Sequence, residues 1–202
     1  MSDISEENNI WNQIGSEING GNTSNWASRG SSSLSNDGTV LAVGAPDNAD
    51  NGLNAGKASI FTYNTASSSW IQVGNDIKGQ NAGDYFGISI KLSDDGSIVA
   101  IGANGVDENG NDSGQVQIFE NIANVWTQVG SEINGVSEKD LSGSTIDLSG
   151  DGSILAIGAQ LNDDNGEDSG HVRIFKNESG TWKQLGQTCL LYTSDAADDA
   201  NC

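Results

Sequence analysis

Two acidic loops hold the residues best suited to chemistry. NGVDENGNDSG (104–114) and QLNDDNGEDSG (160–170) place Asp107, Asn109 and Asp112, and Asp163, Asn165, Glu167 and Asp168, at near-alternate positions. A hard cation such as calcium gathers six to eight oxygens, and such spacing can turn several towards one point. These loops carry Asn-Gly at 109–110 and 165–166, as does PDNADNGLNAG (46–56) at 51–52, a pair whose turn-forming ability is reason enough for its presence. Metal loops and solvated connectors are therefore both open here, and no cofactor other than calcium is suggested.

His171 is the only histidine, and Lys57 and Gln115 stand at the corresponding places of related segments, which predicts an exposed strand start. A nucleophilic triad would need an activated serine beside it, and no GxSxG elbow is present. Phosphate loops, paired zinc-ligand motifs and basic aromatic patches are also missing. The expectation is a non-enzymatic chain. Trp11, Trp70, Trp126 and Trp182 recur at one place in each segment, which predicts packing between segments rather than sugar stacking, since indoles bury large areas. Trp26 has no counterpart and is the better candidate for a surface contact.

These residues must be positioned by a repeat. LSNDGTVLAVGA (34–45), LSDDGSIVAIGA (92–103) and LSGDGSILAIGA (148–159) recur at a period of about 57 residues, so each copy is one unit stacked on its neighbours. Each is followed by a β-rich run opened by glycine (GKASIFTY, GQVQIFEN, GHVRIFKN) and then by the tryptophan run. In the middle unit the pattern predicts strands at 86–92, 97–103, 114–120 and 126–133. IVAIGA is apolar almost without alternation, as in a strand covered on both faces. Asp-Gly between the first two runs supplies residues that tolerate positive φ in a tight hairpin. The Gly-Ala of the second run would let neighbouring units approach closely.

Composition agrees: 27 glycines, one proline and 18% charged residues suit many short strands. A net charge of −20 opposes binding to nucleic acid, which is held by basic patches. No apolar run is long enough to insert in a membrane as a helix, and no signal peptide is visible.

Four antiparallel strands per unit match propeller blades better than solenoid turns. Phe86-Gly87 and Gly102-Ala103, within DYFGISIKLSDDGSIVAIGA followed by GQVQIF, resemble the FG-GAP repeats of integrin-α-type β-propellers. The first unit has Ser28-Arg29 at the FG position but keeps Gly44-Ala45-Pro46, and the third has Ser142-Gly143 and Gly158-Ala159-Gln160. The resemblance runs from Trp11 to about Gly186. It implies an all-β fold, a β-propeller fragment of three four-stranded antiparallel blades (about 26–78, 84–134 and 140–186) plus one preceding strand, within a propeller region at 11–188 that follows an N-terminal segment at 1–10. It also implies an extracellular or cell-surface module for protein or glycan interaction or adhesion, or an accessory propeller of a larger secreted enzyme. The family's calcium turn does not carry over, because the turns at Asp37, Asp95 and Asp151 are too short to wrap the ion.

After Gly186 the repeat pattern stops. CLLYTSDAADD, from Cys189 to Asp199, resembles a translated sequencing adapter, so 189–202 is expected to be a non-native tail and the chain a piece of a larger propeller. Both cysteines lie in that tail, which leaves no disulfide framework to argue.

Overall fold

The computed structural model describes residues 12–19 and 31–190, with the side chains of 188–190 left aside. Trp11, Trp26, Ser28, Arg29 and the tail from 191 lie outside the described residues. Among those described there are fourteen strands and no helix. They form three antiparallel sheets, one per repeat: β1 (Ser32–Leu34), β2 (Val40–Ala45), β3 (Lys57–Asn64), β4 (Ser69–Gln72) and β5 (Ile77–Lys78); β6 (Ser89–Leu92), β7 (Ile98–Ala103), β8 (Gln115–Ile122), β9 (Val125–Gln128) and β10 (Ile133–Asn134); and β11 (Thr145–Leu148), β12 (Ile154–Ala159), β13 (His171–Glu178) and β14 (Thr181–Leu190). Each sheet is a four-line meander. These are the expected blades.

The fourth line differs from the expected single run. In the first two blades it breaks into two strands that pair with the same neighbour, β9 with Phe119–Ile122 and β10 with Gln115 and Val116. The chain bulges out at Gly130, whose φ of 75° interrupts the ladder. In the third blade β14 continues to Leu190, two residues into the segment expected to be non-native, with one register shift opposite Val172 and Ile174. Residues 12–19 form no strand pairing among the described residues.

The Ser-x-Asp-Gly-Ser/Thr turn is a closed hydrogen-bond unit. The Ser93 hydroxyl, the Ser97 amide and the Ser97 hydroxyl donate to Asp95 Oδ1 at 2.7, 2.9 and 2.7 Å, and the Ile98 amide donates to Ser93 Oγ at 3.0 Å. Asp37 and Asp151 repeat the pattern. The positive φ falls on Gly38, Gly96 and Gly152 rather than on the Asp-Gly pair. Their turns also link blade to blade, the Asn36 amide donating to Asp94 O and the Asp94 amide to Gly150 O, both at 2.8 Å.

The core lies between blades. Successive strand residues point to opposite sheet faces, so Val99, Ile101 and Phe119 join Ile60 and Phe86 on one side of the middle blade. Ala100, Val116 and Ile118 join Leu155, Ile157 and Phe175 on the other. Burying both faces is why IVAIGA lacks alternation. Close approach is also required between blades: a methyl group on Gly44 would stand 1.9 Å from Gly87 O, and one on Gly102 would stand 2.1 Å from Gly143 O. Gly87 and Gly143, at the FG position of the second and third units, therefore rest on the Gly-Ala of the unit before each.

Tryptophan completes the contact. Trp126 Nε1 donates to Val73 O at 3.0 Å, Trp182 Nε1 to Val129 O at 3.1 Å and Trp70 Nε1 to Ile14 O at 3.3 Å. In each case the acceptor lies three residues after the preceding unit's tryptophan. Beside it sits a glycine that leaves room for the indole, Gly15, Gly74 or Gly130, where a methyl group would stand 3.0 to 3.2 Å from Trp Cδ1. Packing between units is thus the role of these indoles.

Candidate functional site

The acidic loops and the loops that join successive blades share one face of the molecule and are sewn together. The amides of Lys139, Leu141 and Ser142 donate to the carbonyls of Asn111, Asp112 and Ser113, and those of Gly83, Tyr85 and Phe86 to Leu53, Asn54 and Ala55. Asn51 and Asn109 clamp the joining loop through Nδ2, to Gly79 O at 2.9 Å and to Gly135 O at 2.7 Å. This clamp adds to the turn-forming role legible in Asn-Gly, and sequence spacing gave no sign of the carbonyl it reaches.

The remaining acidic candidates serve the loops in a similar way. Asp107 Oδ1 accepts from the Asp112 amide at 2.8 Å, and Asp163 Oδ1 from the Asp168 amide at 2.7 Å. Asp112 and Asp168 occupy the left-handed region, with φ of 55° and 54°, as does Asn54 at their place in the first unit, with φ of 57°. Aspartate and asparagine are the side chains that accept this conformation most readily. Asn165 lies in the third loop and also has an interaction partner. Among the described residues no three His, Cys, Asp or Glu side chains are grouped to hold a metal ion. In the third short turn the Ser149 hydroxyl, followed by the amide and hydroxyl of Ser153, brings the Asp151 carboxyl down to about 2.

On this face a recess of about 250 Å³ opens against the middle blade, lined by Asp84, Glu108, Gln115, Gln117, Glu132 and Asn134. Its amides are ordered in a relay: Gln117 Nε2 donates to Gln115 Oε1 at 2.6 Å, and Gln115 Nε2 to Asn134 Oδ1 at 2.8 Å. Glu132 is held below the usual carboxylate range by its own backbone amide and by Gln128. Sequence reasoning missed this site because its residues come from separate runs of one blade and from the loop that enters it. The corresponding place of the first blade is filled differently, by Lys57 Nζ and Ser59 Oγ donating to Asp76 at 2.8 and 2.6 Å.

His171 corrects the expectation of an exposed strand start, being only 1% exposed. Burial, and then the positive charge of Arg173, push its pKa below the ordinary histidine value. Neither ring nitrogen has a hydrogen-bond partner, and Asp164 Oδ2 stands 3.8 Å from Nδ1. Arg173 reaches across to the middle blade, donating through Nη2 to Asn134 O at 2.8 Å and to Ser142 Oγ at 3.1 Å. It places a cation beside the recess.

Comparison with known proteins agrees with this architecture. Residues 78–119 match the FG-GAP repeat family. A search of curated proteins gives no match. Similar solved structures include the periplasmic gluconolactonase of Pseudomonas aeruginosa (19% identity, 81% of this chain and 42% of that one, TM-score 0.51). They also include a Bacteroides uniformis protein provisionally ascribed to 6-phosphogluconolactonase (19%, 78% and 39%, 0.53) and the hydrazine synthase of Kuenenia stuttgartiensis (15%, 79% and 36%, 0.50). The chain spans about two fifths of their length. The likeness is one of fold, that of a β-propeller seen in part. It corrects the expectation of a non-enzymatic chain, because two of these structures are lactonases by name. The missing nucleophile elbow therefore does not place this fold apart from enzymes.

Proposed function

We propose, from the premise that this chain carries an FG-GAP repeat within a β-propeller, that its sewn loop face recognises a hydroxyl-rich partner, a glycan or a polar protein surface. The family resemblance favours a setting outside the cell or at its surface. The recess on the middle blade carries the proposal: the Gln115–Gln117–Asn134 relay offers directed amide groups, and Asp84, Glu108 and Glu132 offer carboxylate acceptors for hydroxyl protons. Its acidity disfavours anionic partners. A panel of neutral oligosaccharides, followed by calorimetry on any that bind, tests this proposal. Gln117→Ala is expected to weaken a bound sugar at least tenfold, whereas equal binding by the variant would remove the recess from the interaction.

The lactonase names among the similar structures favour a second reading, chemistry on a sugar lactone at the same recess, with Glu132 ionised at neutral pH. Proton release from gluconolactone in a pH-stat, lost in Glu132→Gln, would support it. Turnover unchanged by that substitution would place the chemistry elsewhere.

A further inference from the structure

We propose that the recess on the middle blade takes an amino sugar, whose ammonium group stands in for lysines that the first blade supplies from its own chain. The proposal rests on the reading of the recess as a glycan site and narrows the class of glycan. The middle blade differs from the first at the positions that decide this.

The first blade fills the corresponding place with two ion pairs, each made within one sheet and its loop. Lys57 Nζ stands 2.8 Å from Asp76 Oδ2, and Lys78 Nζ stands 2.8 Å from Asp50 Oδ2. The middle blade keeps both carboxylates, with Glu132 for Asp76 and Glu108 for Asp50, and loses both lysines, with Gln115 for Lys57 and Asn134 for Lys78. The register agrees, since Lys57 faces Lys78 across β3 and β5, and Gln115 faces Asn134 across β8 and β10. The side chain that aims the first carboxylate is kept as well. Gln72 Nε2 donates to Asp76 Oδ1 at 2.8 Å, and Gln128 Nε2 to Glu132 Oε1 at 3.1 Å.

The lost ammonium groups are replaced by space. Glu108 and Glu132 both line the recess of about 250 Å³, and no Lys or Arg lines it with them. Among the described residues neither glutamate forms an ion pair. The two amides turn to each other, Gln115 Nε2 donating to Asn134 Oδ1 at 2.8 Å, instead of taking the lysines' places at the carboxylates. Asp84, the third carboxylate, accepts the amides of Gln80 and Asn81 at 3.0 and 2.8 Å and so holds the joining loop. Arg173 lies on the far side of the middle sheet. It shares a strand face with Phe175, which packs on Val116 and Ile118, whereas Gln115 and Gln117 share theirs with Phe119, which packs towards the first blade. An ammonium on the ligand restores the charge-assisted bond that Lys57 makes in the first blade.

Calorimetry at pH 5.5 tests this with two oligosaccharides, the tetramer of β-1,4-linked glucosamine and cellotetraose, which has a hydroxyl where each amine stands. At that pH the amines are protonated and carboxylates of ordinary pKa, ~4, are ionised. The amino tetramer is expected to bind about tenfold more tightly, as for one charge-assisted bond. Glu132→Gln and Glu108→Gln should each remove most of that preference. Glu120→Gln, which deletes the same charge near the other end of β8, should leave it unchanged. Gln115→Lys, which installs the first blade's residue, should abolish it. Equal affinity for the two tetramers, with binding lost in Gln117→Ala, would overturn the ammonium and leave the glycan site standing, whereas binding of neither would remove both readings. Equal weakening by Glu120→Gln and Glu132→Gln would also overturn the proposal, since the attraction would then come from the net charge of −20 alone.

Discussion

At the residue scale, acidic and amide side chains in the loops hold backbone groups. Asp112 stands for the group: it is at the left-handed position where a β-branched residue is strained by about 1–2 kcal/mol. Asp112→Val is therefore expected to lower the unfolding free energy by about that amount in urea melts, and Asp112→Gly to leave it nearly unchanged. His171 behaves differently, because its burial opposes protonation. The unfolded chain takes up a proton as pH falls through ~6.5, while the folded chain does so only at lower pH. Stability present above that point declines as pH falls from there to the folded-state value. Thermal melts between pH 7 and 5 should show this decline, and His171→Gln, which installs the residue of the middle blade, should flatten it.

At the element scale, the fourth strand line of the first two blades is broken where the next blade lodges its tryptophan. The seat needs a positive-φ glycine and a free carbonyl at once, which an unbroken ladder would not give. Trp126→Phe keeps an aromatic ring and deletes the hydrogen bond to Val73 O. Loss of about 1 kcal/mol is expected from chemical denaturation. Gly130→Val should cost more, since it sets a branched side chain at φ 75° and against Gly180 O, 2.6 Å from the added carbon.

At the scale of the molecule, stability is shared between blades because each core cluster draws on two of them. Among the described residues the middle blade has a neighbouring blade on both faces and the first and third have one each. Amide exchange is expected to be slowest in β7 and β8, and faster in β2 and β12. Uniform protection across the three sheets would contradict this gradient. The low share of the similar propellers that the chain spans fits the same picture of a ring seen in part.

The sequence by itself determined the repeat, the strand order, the doubly covered inner strand and the close glycine contacts. Those features are set by local periodicity and turn chemistry, and the chain states them three times. Only the tertiary structure decided what the variable residues do. Asp107, Asn109, Asp112 and Asp163 look like ligands along the chain. In space Asn109 Nδ2 meets a carbonyl of the loop that arrives 26 residues later, and one carboxylate oxygen each of Asp107 and Asp163 accepts an amide of its own loop. His171 could not be recognised as buried from its own strand, since its cover comes from the packing of the surrounding loops and sheet. The recess, likewise, exists only where residues of separate strands and a joining loop converge.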